Sequence, residues 1–438
     1  MWQKVLLSIL LLILTIWLGY FINQSAFEKL IIGFVPFFII YLLVFHKTKS
    51  DVINSSNNIS FWLGLGIFLR IVLVFSFPNL SDDIYRFYWD GLLSTHGYNP
   101  FDYLPDYYIQ NNILSEYLTP ELYYKLNSKD HYTIYPPILQ AVFAIAAWLS
   151  PKNIIIAGII MKLFLLLSEI GSILLIKKIL QKFKLPEKNI LLYALNPLII
   201  VEIVGNLHFE GFMIFFLLLS LWFFINNRFT LSAFAMAGAI ASKLLPLMFL
   251  PFLIARLGWR RSIIYFLIIA LTLLALFIPL INSLFFENFG NSLNLYFRQF
   301  QFNASVFYLI KWFNKIFFGE GYIIKTVGPI LAMITFSCII ILTIIRKNKD
   351  LAFLPESWLF AISIYLLNTP IVHPWYITLP VALSVFTNWR YPIIWSGVVW
   401  LSYSHYWGGG FQENYGLIGV EYGILIIFFL LELFRNNR

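Results

Sequence analysis

Cysteine is nearly missing from this chain: Cys338 is the single one in 438 residues. One thiol excludes an internal disulfide and any cysteine-built metal site. Lying inside an apolar run, it reads as a small core- or lipid-facing residue. Charge is scarce as well. Only 12% of residues are charged, and Asp and Glu together number 21. That excludes an ordinary water-soluble domain. There is also no Walker phosphate loop, no dinucleotide fingerprint after a strand and no HExxH motif, so a soluble nucleotide-dependent mechanism has no support.

What is present is apolar. Hydrophobic residues make up 60% of the chain, and the mean hydropathy is +0.80. They come in continuous runs of bilayer length, which fold as helices. A membrane barrel would show alternating segments of roughly ten residues instead. The first run, 5–22, follows Lys4 and lacks a small-residue cleavage site, so it reads as a retained helix. The net charge of +9 gathers in alternate connections, chiefly the lysine-rich segment 177–188 and Arg256, Arg260 and Arg261. That is the pattern of cytoplasmic loops, and no basic stripe suggests nucleic acid. The expected architecture is one all-α polytopic membrane domain over 1–438, with about 12–14 spans and both ends inside. Long outer loops are expected at 78–137 and 282–322. Segment 138–149 is too short to cross, at about 18 Å as a helix. It reads as a half-helix or re-entrant piece lining a cavity.

With this orientation the polar clusters share one face, outside the cytoplasmic membrane. Foremost is Ser81-Asp82-Asp83, directly after the apolar run 58–77. Ser81 suits the cap of a helix through 84–93, whose positive end favours both acids. On that helix Asp83, Arg86 and Asp90 share a side. The bland reading is a capped interfacial helix with a local Asp83–Arg86 pair. The chemical reading is a general base beside a phosphate- or sugar-binding arginine.

The loop from Tyr85 to Tyr135 holds 11 of the 25 tyrosines. Aromatics anchor membrane interfaces, and they also stack on sugar rings. Pro136 and Pro137 open the helix that follows, which places Gln140 toward the cavity. Asn206, His208 and Glu210 lie between two runs. They are too few for a metal site and better suited to hydrogen bonding or capping. Lys243 has apolar sequence on either side and needs a partner: a lipid phosphate, or Glu210 or Glu202. His373-Pro374-Trp375-Tyr376 sits at a proline-broken junction, where His373 can reach a phosphate and Trp375 can stack. Gly408-Gly409-Gly410 with Gln412, Glu413 and Asn414 reads as a flexible outer loop.

The stretch Asp83-Ile84-Tyr85-Arg86-Phe87-Tyr88-Trp89-Asp90-Gly91, followed by Gly97-Tyr98-Asn99-Pro100-Phe101, resembles the first outer loop of bacterial GT-C glycosyltransferases. The nearest group is the polyprenyl-phosphate-mannose-dependent mannosyltransferases. Tyr135-Pro136-Pro137 with Gln140, Ser242-Lys243-Leu244-Leu245-Pro246, and His373-Pro374-Trp375-Tyr376 are similar to later segments of that group. The resemblance implies a GT-C-like fold. It also implies inverting transfer of a hexose, mannose foremost, from a polyprenyl-phosphate sugar to a glycan or glycolipid acceptor. Asp83, or Asp82, would be the base. Arg86, Lys243, Arg298 and His373 would stabilise the phosphate, and Tyr85, Asp90, Asn99, Tyr135, Gln140, His208, Glu210, Trp375 and Tyr376 would line the substrate site. A divalent metal at Asp82 and Asp83 is compatible with the same reading. Two other classes fit a polar outer cavity. One is a transporter or flippase of lipid-linked glycans, which predicts internal repeats. The other is a noncatalytic part of an envelope-glycan assembly complex.

Overall fold

Every long apolar run becomes a helix, because a chain in hydrocarbon must satisfy its backbone groups internally. The architecture comes from a computed structural model that describes residues 2–48, 55–298, 300–319, 323–346 and 350–436. Helices α1 (Trp2–Phe21) and α2 (Phe27–Lys47) form an opening hairpin, and α3 (Ser55–Val74) leads into the first long loop. That loop carries α4 (Asp83–Thr95) and closes on α5 (Pro137–Leu149). Then come α6 (Ile154–Phe183) and a pair bent by 47°, α7 (Glu187–Ala194) and α8 (Pro197–Gly205). Helices α9 (Glu210–Ile225), α10 (Phe229–Ser242) and α11 (Trp259–Leu280) precede the second long loop. This loop holds the amphipathic helices α12 (Phe285–Arg298) and α13 (Val306–Phe318). After it the longer elements include α14 (Thr326–Ile345), α15 (Leu351–Asn368), α16 (Tyr391–Val398) and α17 (Tyr415–Arg435). No strand forms among the described residues.

The protein is thus an all-α polytopic membrane protein. Among the described residues seven helices are long and apolar enough to cross a bilayer alone, and the bent pair, taken as one span, makes an eighth. α5, α9, α10 and the apolar part of α3 are shorter. The expected 12–14 spans are approached only by counting these shorter helices, because proline and polar breaks divide the apolar sequence into pieces. α5, with Pro137 in its first turn, is such a piece, as its length predicts.

Charges inside the apolar layer find a counter-charge or main-chain carbonyls as partners. Arg70 Nε donates to Glu169 Oε2 at 2.9 Å, with both side chains sealed, and Tyr193 donates to the other Glu169 oxygen at 2.5 Å. Lys162 donates to the carbonyls of Leu73 and Ser76, at 3.1 and 2.6 Å. The Leu73 carbonyl, in the last turn of α3, also takes the Ser76 amide and hydroxyl, at 3.2 and 2.9 Å. Together the two cations clamp α3 to α6 and α7. They set the point from which the first loop departs.

Candidate active site

Asp82 and Asp83 begin α4. Ser81 does not cap the helix in the expected manner; its Oγ accepts from the Asp83 amide at 3.3 Å, and Asp82 occupies the cap position. Both acids still lie at the positive end of α4, which favours their charge. Asp83 accepts from Asn127 Nδ2 at 2.9 Å, and Asp82 from Gln24 Nε2 at 3.1 Å. Each carboxylate is therefore oriented by an amide from another segment. The Asp82 side chain reaches solvent on one side and protein on the others. That partial burial pushes its carboxyl above the usual range, the Gln24 bond opposes the rise, and the neighbouring Asp83 adds to it.

Arg86 departs from the expected pairing. Its Nε meets Asp90 Oδ1 at 2.8 Å, not Asp83, and its Nη1 donates to the carbonyls of Ser128 and His131 at 2.9 and 2.8 Å. Asp90 also accepts from Thr133 Oγ1 at 2.5 Å and Gln140 Nε2 at 3.1 Å. Arg86, Asp90 and Gln140 thus form a buried network that folds segment 128–133 over α4 and onto α5. Asn99 has a similar part, donating to the Leu280 carbonyl at 2.7 Å. Tyr135 packs edge-on against Phe87 and Phe143. Tyr85 packs against Phe77, and Lys125 lies 5.7 Å over its ring. Several loop tyrosines pack on each other, Tyr103 stacked on Tyr107 at 4.0 Å and others edge-on. They build a small core of their own.

The second cluster is a column of four rings. Phe302 stacks on His373 at 4.6 Å, His373 on Trp375 at 4.4 Å, and Trp375 on His208 at 3.6 Å. The two histidines cover opposite faces of the Trp375 indole, so the expected stacking of that ring on a sugar has no free face. Phe302 reaches the column because the second long loop bonds to the junction after α15. Its amide donates to the Pro370 carbonyl at 2.9 Å, and its carbonyl accepts from the Val372 amide at 2.8 Å. Burial holds the His373 imidazole well below the usual histidine range, and the charges of His208, Lys243 and His405 add to this. His373 therefore offers a hydrogen bond at neutral pH and no charge.

Lys243, in the break after α10, pairs with Glu210 at the head of α9 and lies 4.3 Å over the Tyr376 ring. Glu210 was one of the two structural alternatives for this lysine. His208 turns the other way, to Glu202, so His208 and Glu210 do not converge. Arg298 ends α12, and its side chain lies outside the described residues. Among the described residues no three of His, Cys, Asp and Glu converge as metal ligands. A divalent ion at Asp82 and Asp83 would find two carboxylates there and would take its other ligands from substrate or water.

Tyr406 joins the two clusters. It lies 5.8 Å from Phe302, ring to ring, and within electrostatic reach of Asp82, Asp83, Glu202 and Glu413. The α1–α2 turn closes the gathering. The Gly408 amide donates to the Ser25 carbonyl at 3.4 Å, and Phe27 packs on Trp407 at 5.6 Å. Gln24, Phe302, Tyr403 and Tyr406 were not foreseen. Glu202 carried a legible signal, an acid within an apolar run.

A profile described as alpha-(1->6)-mannopyranosyltransferase, N-terminal domain, matches residues 12–258, more than half of the chain. The chain belongs to this family. It is a glycosyltransferase of the mannosyltransferase type. No curated protein matches it. The matched region of this mannosyltransferase holds Asp82, Asp83, Glu202, His208, Glu210 and Lys243. Phe302, His373, Trp375, Tyr376 and Tyr406 come from the remainder of the chain, so the gathered cluster is composite.

Proposed function

We propose that this protein transfers a mannosyl residue from a polyprenyl-phosphate sugar to a hydroxyl of a glycan or glycolipid. The reaction runs with inversion at the outer face of the cytoplasmic membrane, and Asp83 is the general base. The observation that carries the reading is the Asp82-Asp83 pair at the start of α4. Both carboxylates are fixed by amides from distant segments, beside a polar cluster that has cations and aromatic rings. Asp83 takes the proton as the acceptor oxygen attacks the anomeric carbon. The bond to the phosphate oxygen breaks, and the electron pair stays on the phosphate. Lys243 and a His373 hydrogen bond suit that developing charge. Family membership supports mannose, and the family description names the α-(1→6) linkage. The buried lipid tail explains why the catalyst sits in a membrane.

The test is transfer by purified protein in lipid vesicles. A panel of polyprenyl-phosphate sugars is supplied with a membrane glycolipid extract, with and without EDTA. Wild type should use the mannose donor, and Asp83→Asn should lose about 10²–10⁴-fold in kcat while folding normally. Full activity in both Asp82→Asn and Asp83→Asn would remove the proposed base. Movement of the lipid-linked sugar across the vesicle without covalent transfer would favour a transporter.

A further inference from the structure

The mannosyltransferase carries a second proton-handling group that its loop acids do not account for. His208 is 3% exposed. Its Nδ1 lies 3.0 Å from the main-chain carbonyl of Glu202 and 3.0 Å from Glu202 Oε2. The other Glu202 oxygen accepts from the Tyr403 hydroxyl at 2.8 Å, and Glu202 is fully buried. The Glu202 main-chain carbonyl bonded to Nδ1 sets the tautomer and the ring plane, with the Glu202 carboxylate close beside it, and leaves Nε2 to act. Here Nε2 is buried and has no hydrogen-bond partner. Such an atom is costly unless a ligand meets it.

The backbone is bent to make this pair. Residues Ile200–Gly205 form a π-helical stretch, a rare element that recurs at functional sites. Two residues on, Leu207 has φ +61°, a left-handed conformation that a bulky side chain rarely adopts. The turn folds back until the His208 amide bonds to the carbonyls of Glu202 and Ile203, at 3.3 and 3.2 Å. Strain held in this way, next to a buried unpaired nitrogen, is the signature of a placed functional group. Trp375 backs the ring at 3.6 Å and prevents it from swinging away.

We propose that His208, oriented by Glu202 and Tyr403, is the acid that protonates the departing lipid phosphate. The proposal rests on the lipid-phosphate donor of the preceding section. As the bond from the anomeric carbon to the phosphate oxygen breaks, its electron pair stays on that oxygen. The Nε2 proton joins the phosphate, giving a lipid hydrogen phosphate and a neutral imidazole. Asp83 holds the acceptor's proton, and solvent returns it to His208 between turnovers. The charged and titratable groups around His208 are Glu202 and Tyr403 on one side and His373 across Trp375. The Lys243–Glu210 pair lies beyond Tyr376, and the Asp82-Asp83 pair beyond Tyr406.

Two measurements test this in vesicle-reconstituted full-length protein. The first needs no turnover: binding of undecaprenyl phosphate at pH 6 and pH 8. A general acid must carry its proton when it meets the phosphate, and lower pH supplies that proton. Wild type should therefore bind several-fold tighter at pH 6, and His208→Gln should erase that difference. Equal pH dependence in the two proteins overturns the proposal, whatever the outcome of the transfer assay. The second is the pH–rate profile of transfer. His208→Gln should lower kcat by about 10²–10⁴-fold, leave the donor KM nearly unchanged, and remove the fall in rate on the alkaline side. A variant with wild-type kcat, or one altered only in KM, overturns the acid. Wild-type protein inert with every lipid-phosphate sugar overturns the donor reading and the acid together, whereas an active wild type with an active His208→Gln removes the acid alone.

Discussion

Arg86 and Asp90 form an ion pair at 2.8 Å one turn apart on α4, with side chains only 3% and 0% exposed. The pair is the knot of the first loop, since Arg86 also binds two carbonyls and Asp90 also receives Thr133 and Gln140. Removing one partner of a buried pair strands the other charge, at a cost of about 3–5 kcal/mol. Arg86→Ala should therefore lower the unfolding temperature in detergent sharply and abolish transfer with it. Arg86→Lys should rescue little, because an ammonium lacks the planar fork that serves one carboxylate and two carbonyls at once. An Arg86→Ala protein that melts with wild type would show the knot to be dispensable.

Gly91 follows Asp90 on the side of α4 that meets α5. A methyl group there would lie 2.3 Å from the Phe143 carbonyl oxygen. Neither backbone can give way without separating the helices, and Phe87 is stacked on Phe143 at 4.6 Å across the same contact. Gly91→Ala should destabilise by about 1–3 kcal/mol, as overpacking does. Thermal unfolding in detergent reads the loss. Unchanged stability would mean that the two helices are less tightly fixed.

Rarity made part of this cluster legible from sequence. With so few acids, Asp82-Asp83 after an apolar run stood out, as did Lys243 between two runs with Glu210 as a possible partner. Spacing alone could not say whether Arg86 would choose Asp83 or Asp90, since both are within a turn. That choice depends on segment 128–133 folding back over α4, which no local pattern encodes. Gln24, Phe302, Tyr403 and Tyr406 carry no local signal because distant segments bring them to the cluster. The helical class was plain from composition. The division into spans was not, because hydropathy does not reveal where a proline, a π turn or a 47° bend interrupts a run.

Asp82 gives a pH prediction with a definite sign. Partial burial raises its carboxyl in the folded protein. Between the unfolded and folded values the native state holds more protons, so stability falls as pH rises through that window and stays lower above it. Asp82→Asn, which keeps an uncharged polar group beside Gln24, should melt slightly higher than wild type at pH 7.5. That advantage should vanish near the unfolded carboxylate value, about pH 4. Unfolding temperatures measured at both pH values check this, and a variant less stable at pH 7.5 would reverse the sign.

Lys243 and Glu210 separate a structural contribution from a chemical one. Glu210 is 4% exposed in its side chain and Lys243 31%, so the pair is sealed on the acid's side and open on the lysine's. Lys243→Met leaves a buried carboxylate without its cation, which should cost about 1–3 kcal/mol. Adding Glu210→Leu removes the stranded charge, and the double variant should regain most of the stability. Activity should not follow. If the open side of Lys243 meets the donor phosphate, both variants remain impaired in transfer, with the donor KM raised or kcat lowered at any salt concentration. Recovery of transfer in the double variant would assign Lys243 to the fold alone and leave phosphate stabilisation to the histidines.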